Sequence, residues 1–354
     1  MDMTETLSPI PELHGVTPEQ FGTEVLPQGR PVVMRGLVGD WPAVGAARQS
    51  AAAAAGYVRR FDAGQPVETI FGDPAIEGRF FYNDELTGLN FERRPERIGA
   101  ALDELLQAEG QERARSVYIQ SVPTPQALPG FAEENRLPFL PPSVPPRIWI
   151  GNALTVQTHF DLSQNVACVV AGRRRFTLFP PDQLPNLYAG PFELTLAGPP
   201  ISMVRLEDPD YERYPRFREA LGHALTAELG PGDALFVPYF WWHHVQSLER
   251  FNILVNYWWN EAQPGLGSPF DALLHAILAV RDLPPQQREV WRGVFDHYAF
   301  KANGEPVEHL PQQARGALGP HTERDRARIW AMLANAVGRQ AARRNGPPQR
   351  PPRR

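Results

Sequence analysis

Only one cysteine, Cys168, occurs in a chain of 354 residues. An internal disulfide is therefore impossible, and the usage fits a reducing, cytoplasmic compartment. No run of about 18 apolar residues exists, which leaves no stretch able to span a membrane as a helix. The opening residues, Met-Asp-Met-Thr-Glu-Thr, are acidic and lack the apolar core of a signal peptide. Basic charge is not in excess either. The net charge is −5, so electrostatics give no general reason to expect a nucleic-acid partner. Internal repeats are absent.

What the chain does have is 38 prolines and 29 glycines spread along its length, which favours many short strands and turns over long helices. The apolar fraction of 42% and the length allow a large core. Thr17-Pro18 reads as a helix start. Pro31 to Gly36 reads as a strand, Ala51 to Ala55 as helix, residues 97–109 as an amphipathic helix and Val117 to Gln120 as a strand. Residues 123–146 are proline-rich and read as an irregular connection. From 147 to 260 short strands follow one another, among them Ile148–Asn152, Asn165–Val170, Arg174–Phe179, Ala234–Val237 and Phe251–Trp258. That spacing predicts a mainly β fold, a sandwich or jelly roll. Beyond Gly265 three amphipathic helices are expected, the first capped by Ser268-Pro269 and the third by Thr322 with Asp325. The organisation expected is a β domain over 1–262, a helical segment over 263–342 and a basic, disordered tail over 343–354.

The residues that carry chemistry are few. His159 and Asp161 are two apart, so on a strand they share a face. A His-x-Asp/Glu pair arises about once by chance in such a composition, so it matters only with its surroundings. A later histidine, from His243-His244, would complete two imidazoles and a carboxylate on one side of a metal. That arrangement leaves positions open and suits non-haem Fe(II). Neighbouring strand residues face opposite ways, so only one of the two histidines can serve. Arg174 shares parity with Phe176 and Leu178 and should point inward, while Arg173 and Arg175 point out. A buried guanidinium needs an anion, either a bound carboxylate or an internal acidic partner.

Several motifs occur in a fixed order. They are His159-Phe160-Asp161-Leu162-Ser163-Gln164-Asn165, Leu178-Phe179-Pro180-Pro181, Asp208-Pro209-Asp210-Tyr211-Glu212-Arg213, Pro231-Gly232-Asp233, Trp241-Trp242-His243-His244 and Val255-Asn256-Tyr257-Trp258. In this order they resemble the cupin-like branch of the JmjC-related oxygenases, most closely the asparaginyl hydroxylase that inhibits hypoxia-inducible factor. The resemblance covers roughly residues 115–262. It implies a double-stranded β-helix using Fe(II), 2-oxoglutarate and O₂, with His159, Asp161 and His243 as metal ligands. It further implies Arg174, Tyr118, Asn165, Asn256 and Trp258 around 2-oxoglutarate and Gln120 toward the substrate. Trp258 is equally compatible with core packing. Two departures stand out: Arg174 replaces a lysine, and Val156 replaces a threonine that contacts the cosubstrate, with Thr155 and Thr158 as possible stand-ins.

The expected reaction couples oxidative decarboxylation of 2-oxoglutarate to hydroxylation of a protein side chain, a small molecule or a modified base. The competing readings are a cupin-fold metalloenzyme that does not use 2-oxoglutarate and a non-catalytic binding protein on the same fold. The resemblance also implies a homodimer formed through the C-terminal helices, whose stripe Ile329, Leu333 and Val337 needs a cover.

Overall fold

The computed structural model describes residues 7–196, 198–261 and 266–344. They fall into two compact units that divide between Asn260 and Glu261. The N-terminal unit is built on nine strands that matter for the site. These are β1 (Ser116–Pro123), β2 (Pro146–Gly151), β3 (Leu154–His159), β4 (Gln164–Ala171), β5 (Arg174–Phe179), β6 (Leu225–Leu229), β7 (Ala234–Val237), β8 (Trp242–Ser247) and β9 (Asn252–Trp259).

Two sheets result. One runs in the order Ser8–Pro9, β6, β5, β8, β3, Arg79–Phe80. The other runs Glu12–His14, Val32–Arg35, β7, β4, β9, β2, β1, Pro66–Gly72, Phe91–Arg97. The strands β2 to β9 are shared four to each sheet and pair antiparallel within each; successive strands switch sheets except β5 and β6, which are neighbours in one sheet. This is the double-stranded β-helix, a mainly β fold.

Alternation explains the packing. On β2, Ile148 and Ile150 are fully buried in the larger core cluster, which also takes in Val166, Cys168 and Val255. On β5, Phe176 and Leu178 enter a second cluster with Ala167, Val169 and Leu235. Helices cover the outside of the larger sheet. Ala51–Arg59 is capped by Ser50, and Ile98–Ala108 buries Ile98, Leu102 and Leu105 in the same cluster.

Two features differ from expectation. Residues 123–146 are not wholly irregular, since they hold the single turns Thr124–Ala127 and Phe131–Glu134. The strands Pro66–Gly72 and Phe91–Arg97 extend the sheet where no strand was expected. Phe91–Arg97 is an edge strand full of Glu and Arg, and such charge hides a strand from its hydrophobic pattern while blocking unwanted pairing.

The second unit contains the helices Pro269–Val280, Pro285–Tyr298 and Glu323–Arg344. Ser268 Oγ accepts from Phe270 N, and Thr322 and Asp325 exchange side-chain to backbone bonds at the start of the last helix. That helix reaches Arg344, two residues into the expected tail; 345–354 lie outside the described residues. No helix among the described residues is long and apolar enough to cross a membrane.

Candidate metal centre and its cavity

His159 ends β3, Asp161 lies just past it, and His243 sits second on β8. Strands β3 and β8 pair so that His159 stands opposite His243. The three side chains can each offer an atom such that all lie within 4.8 Å of one another. His243 Nε2 is 3.6 Å from Asp161 Oδ2.

The tautomers follow from the hydrogen bonds. His159 Nδ1 donates to the Gln157 carbonyl at 2.8 Å, and His243 Nδ1 donates to the Trp241 carbonyl at 3.0 Å. A carbonyl only accepts, so each proton sits on Nδ1 and each Nε2 lone pair is free to bind a cation. Burial, reinforced by the neighbouring His243, pushes His159 down to about 3, keeping its ring neutral. Burial raises the Asp161 carboxyl, against the opposing pull of His243, Trp258 and Asn165. Its Oδ2 is buried with no hydrogen-bond partner. An unpartnered buried carboxylate oxygen facing two imidazole lone pairs fits a divalent metal ion.

His244 takes the other face, as strand alternation requires. It is fully buried; its Nε2 donates to Glu207 Oε1 at 3.0 Å, and its Nδ1 lies 3.3 Å from Thr158 Oγ1. Burial alone would raise Glu207, but the bond and the charge of His244, with a backbone hydrogen bond and Arg79, together outweigh it and hold the carboxyl at about 2. Sequence reasoning had no access to Glu207, which arrives from the connection between β5 and β6.

A cavity of about 590 Å³ opens on the triad. Tyr118, Gln120, Asn165, Arg174, Asn256 and Trp258 all line it together with His159, Asp161 and His243. The polar wall is ordered by a short relay. Trp149 Nε1 donates to Asn256 Oδ1 at 2.7 Å, and Asn256 Nδ2 donates to Asn165 Oδ1 at 3.1 Å. Trp258 stands edge-on to Trp149 at 5.7 Å, so it faces the cavity as well as packing.

Arg174 is 1% exposed, and its Nε and Nη2 have no partner. The Tyr118 hydroxyl lies against it, and no acidic side chain among the described residues pairs with it. Burial lowers the guanidinium, which Tyr118 offsets only in part. In register Arg174 faces Ser247 on β8 and Leu178 faces His243, so the backbone position of Arg174 is four residues along β5 from the one opposite His243. At ~3.3 Å per residue that is roughly 13 Å.

Val156 also lines the cavity, and neither Thr155 nor Thr158 does. The reason is a bulge. Val245 pairs with Val156 and His243 with His159, so three steps on β3 match two on β8. Gln157 and Thr158 share the extra space. The Gln157 amide donates to the carbonyls of Ser202 and Val204, and Thr158 is taken up with His244. Val156 and His159 thus face the same way despite odd spacing, and the wall at this point is apolar. Two other lining residues, Arg147 and Trp149, were missed in the sequence. Their signal was parity: they alternate with the core residues Ile148 and Ile150.

A family profile described as "Cupin-like domain" matches residues 18–264. HSPB1-associated protein 1 of Homo sapiens is 33% identical over 150 residues, covering 41% of this chain and 30% of that protein. Lysine-specific demethylase JMJ31 of Arabidopsis thaliana is 32% identical over 168 residues, 47% of this chain and 28% of the demethylase. tRNA wybutosine-synthesizing protein 5 of Mus musculus is 27% identical over 277 residues, 73% of this chain and 79% of that protein. The aligned part is thus less than a third of the length of the first two relatives.

Proposed function

Because the chain belongs to the family of cupin-like domains, related to JmjC proteins, we propose that it is an Fe(II)- and 2-oxoglutarate-dependent oxygenase that hydroxylates its substrate. The observation that carries this reading is a fully buried guanidinium, without an acidic partner among the described residues, in the cavity of a His-Asp-His triad. A metalloenzyme that needed no diacid would have no use for such a charge.

His159, Asp161 and His243 would hold the iron, and Arg174 with Tyr118 would hold the far carboxylate of 2-oxoglutarate. When bound, iron and 2-oxoglutarate supply the oxidising power, with succinate and CO₂ as products. The chain's own residues do the rest. The two backbone carbonyls lock the imidazole tautomers, the Trp149–Asn256–Asn165 relay fixes the polar wall, and Val156, Trp149 and Trp258 limit water. Gln120, on the cavity wall, would meet the substrate.

The relatives carry different names, among them an HSPB1-associated protein, lysine-specific demethylases and a tRNA wybutosine-synthesizing protein. The motif likeness to the asparaginyl hydroxylase is therefore read as a shared site rather than a shared substrate.

Equilibrium dialysis of the anaerobic, Fe(II)-loaded protein against 2-oxoglutarate tests the reading. Saturable binding that requires the metal is expected. No binding would transfer support to a cupin-fold metalloenzyme that works without 2-oxoglutarate.

We also propose that a second copy of the chain covers the C-terminal helices. The helices Pro269–Val280 and Pro285–Tyr298 bury no residue, and Trp330, Met332, Leu333 and Val337 are exposed on the last helix. A two-fold contact is the simplest cover for such a stripe. Light scattering at micromolar concentration should give a dimer for the wild type and a monomer for Leu333→Glu, because a charge would be buried in the contact. A monomeric wild type ends the proposal.

A further inference from the structure

The cavity holds a second guanidinium that the cosubstrate does not account for. Arg147 belongs to β2, where it pairs with Pro123 on β1 and Asn256 on β9. It is half-buried and lines the cavity on the side of Gln120 and Trp258. Its Nε donates to Ser121 Oγ at 2.6 Å and its Nη2 to the Ser121 carbonyl at 2.6 Å. Ser121 can present both acceptors because β1 is bulged here. Ile119 pairs with Ile150 but Val122 with Ile148, and Ser121 adopts a φ of 54°. The guanidinium also lies 5.5 Å from the centre of the Trp258 ring.

These bonds use one edge of the fork and leave the other. Nε and Nη2 form the side edge; the end edge, made by Nη1 and the remaining Nη2 proton, has no partner among the described residues. No ion pair to Arg147 exists among them, and burial lowers its guanidinium with no acidic group opposing. An arginine held rigid on one edge and open on the other is organised for a planar oxyanion.

Charge balance points the same way. On the oxygenase reading, Asp161, a divalent ion, the 2-oxoglutarate dianion and Arg174 sum to zero. Arg93 and Glu68, the remaining charged residues on the wall, pair with each other at 3.3 Å. One positive charge is left over, and it is on Arg147. A dianionic phosphate would exceed it, with no further free cation beside it; a carboxylate matches it in charge and in its two oxygens.

We propose that Arg147 recognises a carboxylate on the primary substrate, so that the protein acts on an acidic molecule or acidic side chain. This deepens the oxygenase reading and rests on it.

The test uses the full chain loaded with Mn(II) and unlabelled 2-oxoglutarate, which occupies the Arg174 site. The probe is carboxyl-¹³C-labelled acetate, the smallest carboxylate, and the readout is relaxation of its ¹³C by the paramagnetic ion. Enhancement is expected for acetate and not for neutral acetamide. In Arg147→Gln the acetate affinity should fall about tenfold, the effect of a charged hydrogen-bonded pair, while 2-oxoglutarate affinity stays as in the wild type and reports an intact fold. Equal enhancement by acetamide, or acetate binding unchanged in Arg147→Gln, overturns the proposal. So does a parallel loss of 2-oxoglutarate, which would make Arg147 a cosubstrate residue, or displacement of acetate by equimolar inorganic phosphate. The acetate-against-acetamide contrast is read on the wild type and does not depend on the variant folding. If the wild type fails to bind 2-oxoglutarate, the oxygenase reading itself falls; if it binds 2-oxoglutarate but shows no acetate effect, only the assignment of Arg147 does.

Discussion

Replacing His243 with alanine should remove Fe(II) binding, whereas replacing the adjacent His244 should leave it nearly intact. The contrast follows from β8, which turns the two imidazoles to opposite faces. His243 presents Nε2 to Asp161 Oδ2 at 3.6 Å and to the rest of the triad. His244 spends its Nε2 proton on Glu207 and is not part of the triad. Losing the hydrogen-bond partner of a ligand typically costs 10–100-fold in affinity, and losing one of three ligands should cost at least roughly 10²-fold. Asp161→Ala should match His243→Ala. His244→Ala should instead lower the thermal midpoint, because it strips Glu207 of its strongest favourable bond and opens a hole where a fully buried ring stood. Anaerobic dialysis with metal analysis and a melting curve on each variant separate the two effects. Equal loss of iron from His243→Ala and His244→Ala would undo the assignment.

How much of this was legible in the sequence depends on how far each feature reaches along the chain. Parity is local: Phe176 and Leu178 betray the inward face of β5, and so the direction of Arg174, because alternation is imposed by the backbone. The same logic separates His243 from His244. Where a bulge intervenes, parity fails, as between Val156 and His159, since the extra residue is set by pairing with a strand more than eighty positions away. The bulge at Ser121 is hidden for the same reason, and with it the setting of Arg147. Edge strands such as Phe91–Arg97 were invisible because their residues meet solvent and carry no apolar rhythm. Glu207 shows a further limit. Its partner His244 comes from another element, and nothing in the local sequence around an acidic residue says that a buried imidazole will find it.

Arg174→Met should produce two effects of opposite sign. The first is loss of 2-oxoglutarate: a charged hydrogen-bonded contact contributes about 1.5–3 kcal/mol, so affinity should fall at least about tenfold. The second is a gain in stability for the protein without metal or cosubstrate. Arg174 is 1% exposed, and its Nε and Nη2 lack partners. Burial works against its charge, and the Tyr118 hydroxyl is a neutral group that offsets only part of the cost. Methionine has a similar reach without charge, and exchanging buried ionic groups for apolar ones can stabilise by on the order of 1–4 kcal/mol. Arg174→Lys, which keeps a cation at the position, should hold part of the 2-oxoglutarate affinity while giving up the forked contact. Calorimetric titration of 2-oxoglutarate into the Mn(II)-loaded variants and melting of the metal-free ones report the two effects independently. A variant that melts lower and also binds less would have lost its fold rather than its anion site. Unchanged titration in Arg174→Met would place the carboxylate elsewhere in the cavity and leave the buried guanidinium without a task.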